Sequence, residues 1–188
     1  MNPQLSIQKL AARKLLASMP DDVFNIYITP LIEAHGWPFH VNGSVLNPPE
    51  VRRWFQMFDH QFVQAISQLT WERRKIPFAL ARFHPRSYEV VAALINLHVF
   101  GVNTFVAPIA NTREKFFSAR AYIAETGTMP VPVILQHDLL GLRILDGNHR
   151  LAAMASFSNA NDGIIDCWLG RFTPVNTPLP NITDVHRR

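Results

Sequence analysis

Apolar positions in the first hundred residues recur with a helical period. Leu5, Ile7, Leu10, Leu15 and Leu16 fall at close to helical spacing and predict a first helix. Asp21-Asp22 can open a second, because carboxylates accept from free N–H groups and complement the helix dipole. Gly36 is the expected stop after Ile32-Glu33-Ala34-His35. Gly36, Pro38, Gly43, Pro48 and Pro49 mark a loop over 36–49, with Pro49 suited to the first turn of the next helix. There Val51, Trp54, Phe55, Phe58, Phe62, Ile66 and Leu69 share one face, with Arg52, Arg53, Asp59 and Gln61 off it, the clearest amphipathic pattern in the chain. A fourth helix is predicted from near Pro85 through Val90–Ile95 to Gly101.

After Gly101 the pattern changes. Thr104-Phe105-Val106-Ala107-Pro108-Ile109 is short, apolar and partly β-branched and predicts a strand. Asn111 or Thr112 can cap a helix through Phe116, Phe117, Ala121, Tyr122 and Ile123, ended by Gly127. Val131–Leu135 and Leu142–Leu145 read as strands with His137–Gly141 as the turn between them. His149–Phe157 reads as a helix and Ile164–Leu169 as a final strand. Pro174, Pro178 and Pro180 give the end an extended character. The expectation is an α/β (α+β) chain: a helical N-terminal extension over 1–100, a small mixed-sheet core over 101–172, and a Pro-rich tail over 173–188.

Composition narrows the class. The 188 residues are 48% hydrophobic and 17% charged, which suits a packed core. No apolar run is long enough to span a bilayer, and Met1–Pro20 lacks the pattern of a signal peptide, so no membrane association is expected. A lone cysteine, Cys167, forms no intrachain disulfide and is compatible with a cytoplasmic location. The net charge of +4 divides into +3 over 1–100 and +1 over 101–188. No polybasic block emerges, so any nucleic-acid binding is expected to be weak.

One stretch carries candidate chemistry. A strand ending in Asp146-Gly147 runs directly into a helix beginning near Asn148 or His149. Gly147 permits a tight turn and close approach of a ligand to the backbone. The first N–H groups of that helix, with its dipole, make an anion site. His149 and Arg150 in its first turn can add charge-assisted hydrogen bonds to phosphate. Asp146 at the rim can hold a metal ion or accept a proton.

Leu142-Arg143-Ile144-Leu145-Asp146-Gly147-Asn148-His149-Arg150-Leu151-Ala152-Ala153 resembles the strand, Asp-Gly-x-His-Arg, helix signature of the ParB/sulfiredoxin superfamily. Asn111-Thr112-Arg113 is similar to its Asn-Pro-Arg segment, with Thr112 where proline is common, and Val131–Leu135 stands in place of its Pro-Ile-Val-Val strand. The resemblance spans roughly 102–172. Asn148 sits where sulfiredoxins carry their nucleophilic cysteine, which argues against sulfinic-acid reduction. A short Pro-rich segment, rather than a helix-turn-helix module, follows the core, which argues against DNA partition. The resemblance to the free-serine-kinase branch implies a nucleotide-dependent enzyme that transfers phosphate from an NTP, or hydrolyses it, with Mg2+. Its nucleotide would be ATP, ADP or CTP, and its acceptor a small molecule or a protein. The implied catalytic residues are Asp146 and His149, with Asp146 also the metal ligand. Gly147, Asn148, His149, Arg150 and Arg113 would bind the phosphates. That branch also needs a glutamate, for which Glu33, Glu50, Glu89 and Glu114 are the candidates. The alternatives are a non-catalytic nucleotide- or nucleic-acid-binding module and a ParB-like nuclease.

Plainer readings stand beside these. A basic pair at a helix start opposes the dipole, so His149 and Arg150 without an anion would cost stability. Asp146-Gly147 alone is an ordinary turn. Arg52-Arg53 and Arg73-Arg74-Lys75 read as exposed faces, Cys167 as a buried strand residue, and the Trp54-to-Phe62 stripe as core. His35, His40, His60, His84 and His98 show no repeated ligand spacing, so no zinc site is assigned.

Overall fold

The computed structural model describes residues 3–35, 65–105, 111–157 and 163–172. Helices α1 (Pro3–Leu15), α2 (Asp21–Val23) and α3 (Thr29–His35) come first, with a π-helical turn at Phe24–Ile28 joining the last two. Strand β1 (Leu69–Pro77) and helix α4 (Pro85–Val99) precede α5 (Thr112–Thr126). Then come β2 (Val133–Asp138), β3 (Gly141–Asp146), α6 (Asn148–Ala155) and β4 (Ile164–Phe172). The strands form one mixed sheet in the order β1-β4-β2-β3. β4 is antiparallel to β1 and parallel to β2, and β2 and β3 form an antiparallel hairpin.

Helices cover both faces of this sheet, because β2 is apolar on both. Val133 and Leu135 point to one side with Ile144, Ile165, Cys167 and Leu169, packed against Val91, Leu94, Phe116, Ala119, Ile123 and Leu151–Met154 of α4, α5 and α6. Ile134 points to the other with Leu69, Trp71, Leu145 and Trp168, and meets Ala12, Leu16, Val23, Tyr27, Ile28 and Ile32 of the N-terminal helices. A strand buried on both faces reads as a continuous apolar run, as Val133-Ile134-Leu135 does. The N-terminal helices are thus the second layer of an α/β/α arrangement.

The structure corrects the sequence reading in three places. Leu69 does not continue a helix; helical residues end at Ser67, and Leu69–Pro77 is an edge strand paired with β4. Its mixed burial hides the period: Leu69 is buried, while Glu72 and Arg73–Lys75 reach toward solvent and the cross-strand partners Asp166 and Arg171. Thr104 and Phe105 lie in irregular chain, with Asn103 Oδ1 accepting from the Phe105 N–H at 2.9 Å; 106–109 lie outside the described residues. The β2–β3 turn is shorter than expected, Leu139-Leu140. The loop over 36–49, the apolar face from Val51 to Phe62 and the tail over 173–188 also lie outside the described residues.

Other expectations hold. α4 starts at Pro85 with the His84 ring accepting from the Arg86 N–H, and Gly127 at φ +70° closes α5. Cys167 is buried between Arg74 of β1 and Val133 of β2, and burial pushes its thiol up to about 11. The outer edge of β3 is covered: Phe83 bridges Leu142, the His84 N–H donates to Leu142 O, and Ser87 Oγ accepts from the Ile144 N–H. Such cover protects an edge from pairing with another chain. Among the described residues no helix is long and apolar enough to cross a membrane.

Because β1 pairs with β4 over nine positions and Phe78, Phe83, Val91 and Leu94 belong to the first core, the sheet draws on both sides of residue 101. A fragment beginning at residue 101 is therefore expected to lose cooperative unfolding in urea, monitored by circular dichroism. A fragment transition as sharp as that of the full chain would overturn this.

Candidate functional site

Asp146 ends β3, Gly147 caps α6, and Asn148, His149 and Arg150 form its first turn. Gly147 sits at φ +107°, and a Cβ there would lie 2.6 Å from Val133 Cγ1. Glycine is therefore required twice, by the left-handed backbone and by the contact with β2. No side chain caps α6, whose first backbone bond runs from the Leu151 N–H to Gly147 O at 2.9 Å. The earlier N–H groups of that turn are left for a ligand or water.

The start of α5 lies against it. Asn111 holds a left-handed φ of 56° and gives no side-chain cap. Thr112 Oγ1 lies 2.8 Å from His149 Nε2 and 3.2 Å from His98 Nε2 at the end of α4. His98 also stacks on Phe116, with ring centroids 4.8 Å apart. Three helix ends thus meet through one hydroxyl.

The electrostatics are one-sided. Burial, then Lys115, His98 and Arg150, push the His149 imidazole down to about 4, against an opposing pull from Asp146. Burial and Arg113 lower His98 as well. Both rings are neutral at neutral pH. On the other side of the sheet edge Tyr27 is buried beside Asp146, and both effects raise its phenol.

The predicted residues come together unevenly. Asp146, Gly147, Asn148, His149 and Arg150 are contiguous, but Asp146 and Arg150 are bonded to each other, Oδ2 to Nη2. Arg150 Nη1 also donates to Val131 O at 3.3 Å. Arg113 lies exposed one position past Thr112, its guanidinium 5.3 Å from the Phe117 ring centre. An open depression of about 610 Å3 beside it is lined by Asn111, Arg113, Glu114 and Phe117. Of the glutamate candidates, Glu114 is the one at this site; Glu33 bonds Lys9, Glu89 is exposed on α4, and Glu50 is outside the described residues. Thr112, His98, Lys115 and Tyr27 were not singled out for chemistry by sequence. Thr112 carried a signal, standing in the Asn-x-Arg segment; His98 and Tyr27 carried none.

Among the described residues no three His, Cys, Asp or Glu side chains gather to hold a metal ion. Asp146 offers one carboxylate with one oxygen engaged. That donor set suits Mg2+ carried in on phosphates, not a metal held by protein ligands alone. Comparisons with protein-family models, curated proteins and solved structures return no match.

Two predictions follow from this geometry. Gly147→Ala should cost about 2–4 kcal/mol, from left-handed strain plus the clash with Val133. Gly127→Ala, at φ +70° with nothing within 4 Å, should cost only the strain, about 1 kcal/mol. Equal losses in urea melts would refute the packing argument. The second concerns pH. The folded pKa of His149 lies below its ordinary 6.5, so the unfolded chain binds the proton first as pH falls. Its contribution is complete above pH 6.5 and is lost on descent toward pH 4. Allowing for solvent screening of a half-buried ring, the loss is on the order of 1 kcal/mol. His149→Gln should flatten the stability profile in that window; an unchanged slope would show that His149 titrates normally.

Proposed function

We propose that this chain is a nucleotide-dependent enzyme of the ParB/sulfiredoxin kind, acting by phosphoryl transfer from an NTP or by its hydrolysis. The observation that carries this reading is the 2.8 Å contact between Thr112 and His149, which brings the first turns of α5 and α6, neither with a side-chain cap, against each other. Free N–H groups and two helix dipoles favour an anion there. Arg113, Lys115 and Arg150 add fixed positive charge, set against the carboxylates of Asp146 and Glu114. Phosphoryl transfer needs mostly positioning and charge neutralisation, which such a cleft can supply.

In this reading Gly147, Asn148 and His149 offer backbone N–H groups to the phosphates, and Arg150 and Arg113 grip their oxygens. Arg150 exchanges its bond with Asp146 for a phosphate oxygen. Asp146 would then be the residue to hold Mg2+ brought by the nucleotide, which would supply neutralisation of phosphate charge. His149, neutral and half-buried, accepts a proton from the attacking hydroxyl or water. The acceptor is a small molecule or a protein. The Asp146–Arg150 bond also favours a second reading, a non-catalytic module that binds nucleotide or, weakly, nucleic acid: the bond occupies both groups on which turnover would depend.

Titration with ATP, ADP and CTP in millimolar Mg2+ tests the reading. At about a hundredfold over Kd the stabilisation should be roughly 2.7 kcal/mol, read as a rise in Tm. Arg150→Ala should abolish the rise, and Arg150→Lys should restore little of it, since an ammonium lacks the planar fork. Asp146→Asn should retain part of the binding and lose turnover. No shift with any nucleotide or pyrophosphate would refute the proposal; binding without turnover in wild type would favour the module.

A further inference from the structure

Thr112 Oγ1 is shared by the Nε2 atoms of two imidazoles, at 2.8 Å from His149 and 3.2 Å from His98. A hydroxyl has one proton to give and two lone pairs. Two bare Nε2 atoms would compete for that one proton. Two Nε2–H groups would fill the lone pairs and leave the hydroxyl proton without an acceptor among the described residues. Opposite tautomers satisfy all three groups. Burial, with Lys115 and Arg150 at His149 and Arg113 at His98, favours the neutral form of both rings, against the pull of Asp146 on His149, so the one-proton count applies at neutral pH.

The direction follows from what His149 must do. Its Nε2 is committed to Thr112, and its Nδ1 has no hydrogen-bond partner among the described residues. We propose that Thr112 is a positioning residue that holds His149 with its proton on Nε2 and His98 with its proton on Nδ1, leaving His149 Nδ1 as the base of the cleft. The base role, and with it which ring carries which tautomer, rests on the phosphoryl-transfer reading; that the two tautomers are opposite does not. When His149 Nδ1 takes a proton from a hydroxyl or water, its Nε2 proton passes to Thr112 Oγ. The hydroxyl proton passes in turn to His98 Nε2. His149 is then neutral with its proton on Nδ1, Thr112 is again a hydroxyl, and the charge resides on His98, the less buried ring. Reversal of the relay brings the charge back to His149, and release of its Nδ1 proton to the leaving group or to water restores the start.

The test is two-bond 1H–15N correlation spectroscopy of the imidazoles in the 15N-labelled full chain at neutral pH without nucleotide. His98→Gln and His149→Gln assign the two rings. The expected result is a neutral Nε2–H tautomer for His149 and a neutral Nδ1–H tautomer for His98. Thr112→Ser should preserve both, whereas Thr112→Val should release them into tautomer mixtures. A His149 proton on Nδ1, the same tautomer in both rings, or tautomers indifferent to Thr112→Val would overturn the proposal. If Thr112→Val does not fold, the wild-type spectrum still decides. Absent nucleotide binding would sink the phosphoryl-transfer reading and leave these spectra standing. A wrong tautomer would sink the relay and leave nucleotide binding intact.

Discussion

The structure depends on the burial of β2 on both faces. Val133, Ile134, Leu135 and Gln136 are each less than a tenth exposed, so neither side of the strand can face water. A strand of this kind requires a layer of helices on each side. The α4–α6 layer covers Val133 and Leu135, and α1–α3 with the π turn cover Ile134. The same strand sets the candidate site. Gly147 rests on Val133 so closely that no Cβ fits, and this contact fixes where β3 ends and α6 begins. Moving the start of α6 outward would open the core at Val133; moving it inward would drive backbone into the strand. The position of the uncapped N–H groups is therefore inherited from core packing.

Packing also accounts for the electrostatics. Phe116, Ala119 and Ile123 of α5 and Leu151–Met154 of α6 share one apolar cluster, so the two helices are drawn together along their buried faces. Their N-terminal ends then converge, with Glu114 in the first turn of α5 and Asp146 just before α6 as the nearby carboxylates. The first turn of α5 sets Arg113 and Lys115 against Glu114, while that of α6 carries His149 and Arg150 with no acidic residue, an arrangement that opposes the α6 dipole unless something answers it. Part of the answer is internal: the histidines give up their protons, and Arg150 turns to Asp146 and Val131. What remains is the set of N–H groups in the first turn of α6 that no side chain caps.

The sequence disclosed the elements whose period was clean. α4, α5 and the strand–glycine–helix junction at Asp146–Asn148 follow from apolar spacing, Pro85, Gly127 and Gly147. β1 was hidden because Leu69 continues the apolar face that leads up to Ile66. The strand itself is an edge strand whose charged residues meet cross-strand partners rather than alternate cleanly. The layer role of the N-terminal helices was hidden for another reason. An amphipathic stripe says that a helix buries one face, not which face of which sheet receives it. At the site, contiguous residues were legible and convergent ones were not. His149 and Arg150 stand beside Gly147 in the chain, whereas His98 reaches Thr112 and His149 across 14 and 51 residues. No local pattern encodes a meeting of that kind.

Under the proposed function, the Asp146–Arg150 bond acts as a placeholder for an anion. It joins residues four apart across a strand–helix junction, and the carboxylate remains 39% exposed while the guanidinium is 15% exposed. A pair so open to water on one side is worth on the order of 0–1 kcal/mol, because solvent screens it. Breaking it alone would leave Arg150 nearly buried beside Val131 with its charge unanswered, which costs far more than the pair is worth. Exchanging the carboxylate for a phosphate oxygen avoids that cost, since Arg150 stays paired throughout and Asp146 turns toward water or a cation. The cleft thus keeps Arg150 oriented without an anion, at little energetic disadvantage to one that arrives. Truncation at Arg150 and neutralisation at Asp146 consequently differ in kind. The first removes the anion's partner; the second leaves that partner in place and removes only the charge it was bonded to.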